Sequence, residues 1–91
     1  KNENTILLYT TSGCHLCEQA GALFSRKSVG AQMNAFGLEL KLTEISLDEA
    51  LVARFGLRIP VLQFEGLAPE LAWPFDEDEL VSFIHSVCQK A

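Results

Sequence analysis

The stretch Thr5-Ile6-Leu7-Leu8-Tyr9-Thr10-Thr11-Ser12-Gly13-Cys14-His15-Leu16-Cys17 decides how the rest of the chain is read. Its first six residues form a short apolar run with β-branched and aromatic side chains, the composition of a buried strand. Thr11-Ser12-Gly13 is turn-like, and from Cys14 onward the apolar spacing becomes that of a helix. A strand that passes directly into a helix sets Cys14 on the helix's open end, where unpaired backbone N–H groups stabilise an anion. The thiolate is the form of cysteine that attacks disulfides. Cys17, three residues on, lies one turn along the same face, about 5 Å away and inside the Cα separation a disulfide accepts. The pair therefore offers a nucleophile with a resolving partner. Spacing alone leaves two other readings open, half of a zinc site and a pair of ordinary core cysteines.

Working outward, Leu16, Ala20, Leu23 and Phe24 share a helical face, with Glu18, Gln19, Arg26 and Lys27 opposite. Ala31 to Phe36 remain compatible with helix and Gly37 is a good stop, so one long helix is expected, with Gly30 as the place where it would break. Leu38, Leu40, Leu42 and Glu44 alternate with Glu39, Lys41, Thr43 and Ile45, the period of a strand, expected nearer the sheet edge than the first. Ser46 and Glu49 form a capping box for a short helix through Phe55, closed by Gly56. Val61 to Glu65 read as a strand starting after Pro60, Gly66 to Pro69 as a turn, and Glu70 to Trp73 as a short return strand. The last helix has Asp76 as cap and Glu79 completing its box, with Phe75 stapled onto Leu80 and a face of Leu80, Phe83, Ile84 and Val87. The expected order is β-α-β-α-β-β-α, an α/β fold with a four-stranded mixed sheet flanked by helices.

With 91 residues, nearly half of them apolar, the chain is one small domain close to the lower size limit for an independent core. Seven Lys and Arg against twelve Asp and Glu give a net charge of −5, which argues against nucleic acid and anionic membranes as partners. No segment approaches the roughly 20 apolar residues of a membrane helix, and Lys1-Asn2-Glu3-Asn4 has no signal-peptide pattern. Three cysteines are an odd number, unlike the closed framework of a small secreted domain, so a reducing compartment, the cytoplasm, is expected. A monomer is expected too.

The third cysteine bears on zinc, because His85-Ser86-Val87-Cys88 with Cys14 and Cys17 makes a nominal Cys3His set. Helical register opposes it. Cys88 falls eight residues after Leu80, on the apolar face, where a free cysteine packs as a small hydrophobe, and His85 falls off that face. The residue types therefore imply no resident metal or cofactor. An iron–sulfur cluster held by the Cys14/Cys17 pairs of two chains is a less favoured alternative. His15, between the cysteines, is either a hydrogen-bond partner that lowers the thiol pKa or an exposed linker side chain. Glu18 reads as first-turn helix design.

Strand, CxxC at a helix start, Arg58-Ile59-Pro60-Val61, hairpin and closing helix together resemble a small glutaredoxin-like member of the thioredoxin-fold superfamily over essentially the whole length. Cys14-His15-Leu16-Cys17-Glu18, Phe55-Gly56-Leu57-Arg58-Ile59-Pro60-Val61-Leu62 and Trp73-Pro74-Phe75-Asp76 resemble in particular a bacterial glutaredoxin-like subfamily of poorly defined function. The resemblance implies a thiol-disulfide oxidoreductase with Cys14 attacking and Cys17 resolving. It would act on protein or small-molecule disulfides and be recharged by an external thiol reductant. It implies a cis-proline at Pro60 facing the cysteines, with the Ile59 backbone open to an extended substrate; Arg58 beside it reads either as a carboxylate or thiolate partner or as a solvated side chain. Substrate contacts are thus expected from His15, Arg58, Ile59 and Pro60.

Departures bear on glutathione, the co-substrate the resemblance would imply. His15-Leu16 replaces the usual Pro-Tyr pair, Thr11 stands in the region of a Lys, and Trp73-Pro74-Phe75-Asp76 replaces a Gly-Gly run, leaving only Asp76 as a match. Two close backbone approaches that glycine permits are missing, which argues against glutathione. A reading of a different class also fits, a non-catalytic module presenting the Pro60 and Trp73 region to a protein partner.

Overall fold

A computed structural model describes residues 4–90, with only the backbone described for 89 and 90. Lys1 to Glu3, most of the stretch read for a signal peptide, lie outside the described residues. Four strands, β1 (Thr5–Thr10), β2 (Glu39–Glu44), β3 (Val61–Phe64) and β4 (Glu70–Ala72), form one mixed sheet in the order β2-β1-β3-β4. β1 pairs parallel with β2, while β3 runs antiparallel to both β1 and β4. The helices are α1 (His15–Ala22), α2 (Lys27–Ala35), α3 (Glu49–Phe55) and α4 (Glu77–Lys90). β1 and β3 occupy the middle and β2 an edge, as the alternating Leu38 to Ile45 segment suggested.

The pleat sorts β1 into two cores. Ile6 and Leu8 join Leu62 and Phe64 of β3 under Ala20, Val29, Leu80, Ile84 and Val87 from α1, α2 and α4. On the other face Tyr9 and Val61 meet Ile45 and Phe55. All four residues of β3 are buried, as expected of a strand covered on both faces. The Tyr9 and Phe55 rings stack with centroids 4.1 Å apart, which docks α3 on the sheet. The Tyr9 hydroxyl donates to Gln63 Oε1 at 3.0 Å, and Gln63 Nε2 donates to the Leu67 carbonyl at 2.8 Å, so this buried amide is satisfied.

The expected long first helix is two. After α1 the chain tightens into a 3-10 turn over Leu23–Ser25, and Arg26 is extended (φ −70°, ψ 144°). Gly30 lies inside α2, where its N–H donates to the Arg26 carbonyl at 2.9 Å. The break belongs at Arg26 because of phase. A helix continuing from Ala20 and Phe24 would turn Lys27 and Ser28 toward the sheet. Restarting at Lys27 instead brings Val29, Met33 and Phe36 to the core. Gly37 (φ +63°) then ends α2, with Leu38 N–H donating to Met33 at 2.8 Å and Gly37 N–H to Asn34 at 3.2 Å. This is a Schellman stop that a left-handed glycine permits.

α3 is also capped differently from expectation. Asp48, not Ser46, is its N-cap, with Oδ1 accepting from Ala50 N at 2.9 Å and Leu51 N at 3.3 Å. A turn closed by Asp48 N–H to the Ile45 carbonyl uses up Ser46 and Leu47 first. Asp caps as well as Ser does. The box on α4 is as read, Glu79 N–H to Asp76 Oδ1 at 2.8 Å and Asp76 N–H to Glu79 Oε1 at 3.0 Å. Phe75 and Leu80 are both buried in one core.

α3 is further tied to β4 by Glu70, which pairs with Arg54 at 2.5 Å and Arg58 at 2.6 Å. Both guanidinium groups lie over the Phe55 ring, 4.8 and 5.6 Å from its centroid. Hydrogen bonding from Arg58, assisted by Arg54, holds the Glu70 carboxyl below its ordinary pKa. A depressed carboxylate pKa contributes stability that is present above the unfolded value and is lost as pH falls through the folded one. Glu70→Gln is therefore expected to cost about 1 kcal/mol near neutral pH. In denaturant melts the gap from wild type should close as pH falls below the ordinary value of 4.5. Phe55→Ala removes a fully buried ring and should cost about 3 to 5 kcal/mol in the same melts.

Candidate functional site around Cys14 and Cys17

β1 ends at Thr10, and Thr11-Ser12-Gly13 turns the chain into α1. Gly13 has φ +78°, a conformation that disfavours any side chain, and so lets Cys14 follow directly as the N-cap. Cys14 is extended (φ −88°, ψ 106°), and its Sγ accepts the Cys17 N–H at 3.2 Å. A sulfur thus holds the place that Ser or Asp oxygen holds in an ordinary cap, facing N–H groups that have no partner within the helix. Cys14 and Cys17 pair as a disulfide with Cα atoms 5.2 Å apart. Cys14 is half-exposed, whereas Cys17, one turn in, is only 5% exposed. An incoming group meets Cys14 first.

An open groove of about 410 Å³ lies beside the pair, with Leu8 and Leu42 among its walls and Gly21 on the α1 side. Two carboxylates, Glu18 and Glu44, also line it. Glu44 ends β2 in register with Thr10. Its Oε2 accepts the Thr11 hydroxyl at 2.7 Å and the Ser46 N–H at 3.1 Å. These hydrogen bonds, the Thr11 hydroxyl foremost, hold its carboxyl below the ordinary pKa. Sequence reading took Glu44 only as a strand position. The available signal was its place at the carboxyl end of a strand running parallel to β1, the end where α/β sheets build their sites.

The other expected contacts are placed separately. The His15 imidazole is almost fully exposed, and its near neighbour is Glu18, with Nδ1 3.8 Å from Oε1. Arg58 pairs with Glu70 and is not among the residues lining the groove. Ile59 is half-buried, and its N–H donates to the Phe55 carbonyl at 3.0 Å, so only its carbonyl is left for an extended substrate. The Ile59–Pro60 peptide is cis, as is Trp73–Pro74. Pro60 is fully buried, and its carbonyl accepts the Trp73 N–H at 3.0 Å. The β1/β3 register places Pro60 opposite Thr10, at the same sheet end as the cysteine loop. The groove flanks that loop on the β2 side, and Pro60 on the β3 side.

The nominal Cys3His set does not converge. Cys88 is half-buried in a different crevice with Phe36, Leu38 and Phe64, where burial pushes its thiol pKa up. His85 is exposed, edge-on to Phe36 at 6.2 Å. Among the described residues no group of three or more His, Cys, Asp or Glu side chains is arranged to hold a metal ion. Asp76, the one residue matching the glutathione-binding pattern, is engaged in the α4 capping box. Among the described residues no helix is long and apolar enough to cross a membrane.

Comparison with known proteins agrees with this geometry. The model of the glutaredoxin-like domain (DUF836) matches residues 5–85. A crystal structure of the structural-genomics target XcR50 from X. campestris is 34% identical with a TM-score of 0.70, covering 89% of this chain and 96% of that one. The solution structure of the same protein gives a TM-score of 0.67 over 89% and 92% of the two chains, again at 34% identity. Thioredoxin 1 from Thermosipho africanus TCF52B is 13% identical with a TM-score of 0.61, covering 94% of this chain and 96% of that one, a likeness of fold alone. No curated protein matches. A thioredoxin-like sheet, a cysteine pair at the start of the helix after β1, and a family match across nearly all of the described residues lead to one assignment: the chain belongs to the glutaredoxin-like domain (DUF836) family.

Proposed function

We propose that the protein is a dithiol thiol-disulfide oxidoreductase that works in a reducing compartment such as the cytoplasm. The observation that carries this reading is the asymmetry of the pair. Cys14 is half-exposed on the N-terminus of α1, its sulfur 3.2 Å from a backbone N–H, and Cys17 is buried within disulfide reach of it. A helix N-terminus favours an anion, so a reduced Cys14 has a built-in partner for its thiolate. Burial of Cys17 shields it from outside disulfides while leaving it within reach of the Cys14 sulfur.

The reaction balances with two electrons. The Cys14 thiolate attacks one sulfur of a substrate disulfide, the substrate S–S bond breaks, and its other sulfur leaves as a thiolate that takes up a proton. Cys17 gives up its proton and attacks Cys14 Sγ, forming the Cys14–Cys17 disulfide and releasing the second substrate thiol. The substrate is reduced by two electrons and the protein oxidised by two. An external thiol returns it to the dithiol form. The Ile59 carbonyl, on the β3 side of the loop, supplies one backbone acceptor for an extended substrate segment. No resident metal or cofactor takes part in this scheme. Glutathione is at most a supplier of thiol, since the side chains and glycines that would seat it are missing.

Single substitutions separate the two roles. Cys14→Ser should abolish disulfide reduction, a loss of at least about 1,000-fold. Cys17→Ser should keep the first step and stop there, accumulating a mixed disulfide with substrate that non-reducing electrophoresis and intact-mass measurement detect. Reduction surviving in Cys14→Ser would overturn the assignment of the nucleophile.

A further inference from the structure

The groove on the β2 side of the cysteine loop has a chemical character of its own. It opens directly onto Cys14 and Cys17. Its walls are aliphatic at Leu8 and at Leu42, and Leu42 is 63% exposed, so it offers apolar surface to whatever enters the groove. A Cβ added at Gly21 would meet nothing within 4 Å, so this side of the groove is open. The charged residues that line it, Glu18 and Glu44, are both anionic, and no Lys or Arg is among its lining residues.

Glu44 is held rather than free. Thr11 and Ser46 both bond to Oε2, which orders the carboxylate. A side chain fixed in this way has already lost its rotamer freedom and keeps its negative charge facing the groove at little further entropic cost. Thr11 follows β1 and Glu44 ends β2, so the backbone ladder itself sets the carboxylate beside the redox loop. The protein's net charge of −5 adds long-range attraction for positively charged partners.

We propose that this groove is a substrate subsite that selects peptide disulfides in which the cysteine attacked by Cys14 is next to a Lys or Arg. The aliphatic stem of the basic residue lies along Leu42, and its charged head reaches Glu44. A volume of about 410 Å³ has room for a side chain and its neighbouring backbone. Anionic disulfides, oxidised glutathione among them, are disfavoured by the same two carboxylates. The inference deepens the oxidoreductase reading and rests on it, the covalent steps being those already given.

The test is the reduction of three peptide disulfides, identical except for Lys, Gln or Glu beside the cysteine, with dithiothreitol as the recycling thiol. Wild type should prefer the Lys peptide over the Glu peptide by about five- to tenfold in kcat/KM at low ionic strength. The preference should shrink in about 1 M salt, where the Debye length falls to about 3 Å. Glu44→Gln should bring the ratio toward one while the Gln peptide is still reduced. Leu42→Lys, an exposed change on an edge strand where lysine is well tolerated, should do the same or reverse the order, and it keeps the test decisive if Glu44→Gln folds poorly. Equal reduction of all three peptides by wild type would overturn this inference and leave the oxidoreductase reading standing. A preference that survives unchanged in the variants would also overturn it. Reduction of none of the three would overturn both.

Discussion

The parallel pairing of β1 with β2 is the constraint from which the rest follows. Two adjacent parallel strands cannot be joined by a tight turn, so the chain must leave the sheet at Thr10, travel back along it as α1 and α2, and re-enter at Glu39. In this chain the return starts at once, with α1 beginning at His15 and Cys14 standing as its cap. The same pairing brings the end of β2 alongside, so Glu44 arrives at the loop without any dedicated device. The position of the cysteine pair and the anionic groove are both consequences of one ladder.

Different parts of this were legible in the sequence to different degrees, for physical reasons. The cysteine pair could be read because a strand-to-helix transition is local, and local spacing shows in the chain. The α4 cap could be read for the same reason, since Asp76 and Glu79 need only each other. The break at Arg26 could not, because nothing there disfavours helix; only the demand that Val29, Met33 and Phe36 face the sheet interrupts it. Gly30 drew attention as a weak helix former, yet a helix whose face is held by tertiary packing tolerates a glycine. Ser46 and Asp48 compete for one cap, and the turn that finishes β2 decides between them. Glu44 is a polar residue in an edge strand until the partner strand is known.

Arg58 shows a related limit. Beside Pro60 it looked available to a substrate, but Glu70 lies 12 residues further on and across a strand pair, and takes its guanidinium. Together with Arg54 and the Phe55 ring it makes an ionic and aromatic brace. That brace holds the Phe55-to-Pro60 connection against β4, and the Ile59 N–H bond to Phe55 tightens it further. The segment flanking the cysteine loop on the β3 side is therefore a fixed wall, while the β2 side is open.

The position of Cys88 carries a last consequence. Its crevice is lined by Asn4, Leu38 and Phe64, which lie at the start of β1, just before β2 and at the end of β3, the sheet end remote from Cys14. A six-residue strand spans about 20 Å, far beyond the reach of a disulfide. Three cysteines can pair in three ways in an unfolded chain, and the folded one permits a single intramolecular pairing. The sheet acts as an insulator between sulfurs, keeping the Cys88 thiol out of reach of the Cys14–Cys17 pair at the other end.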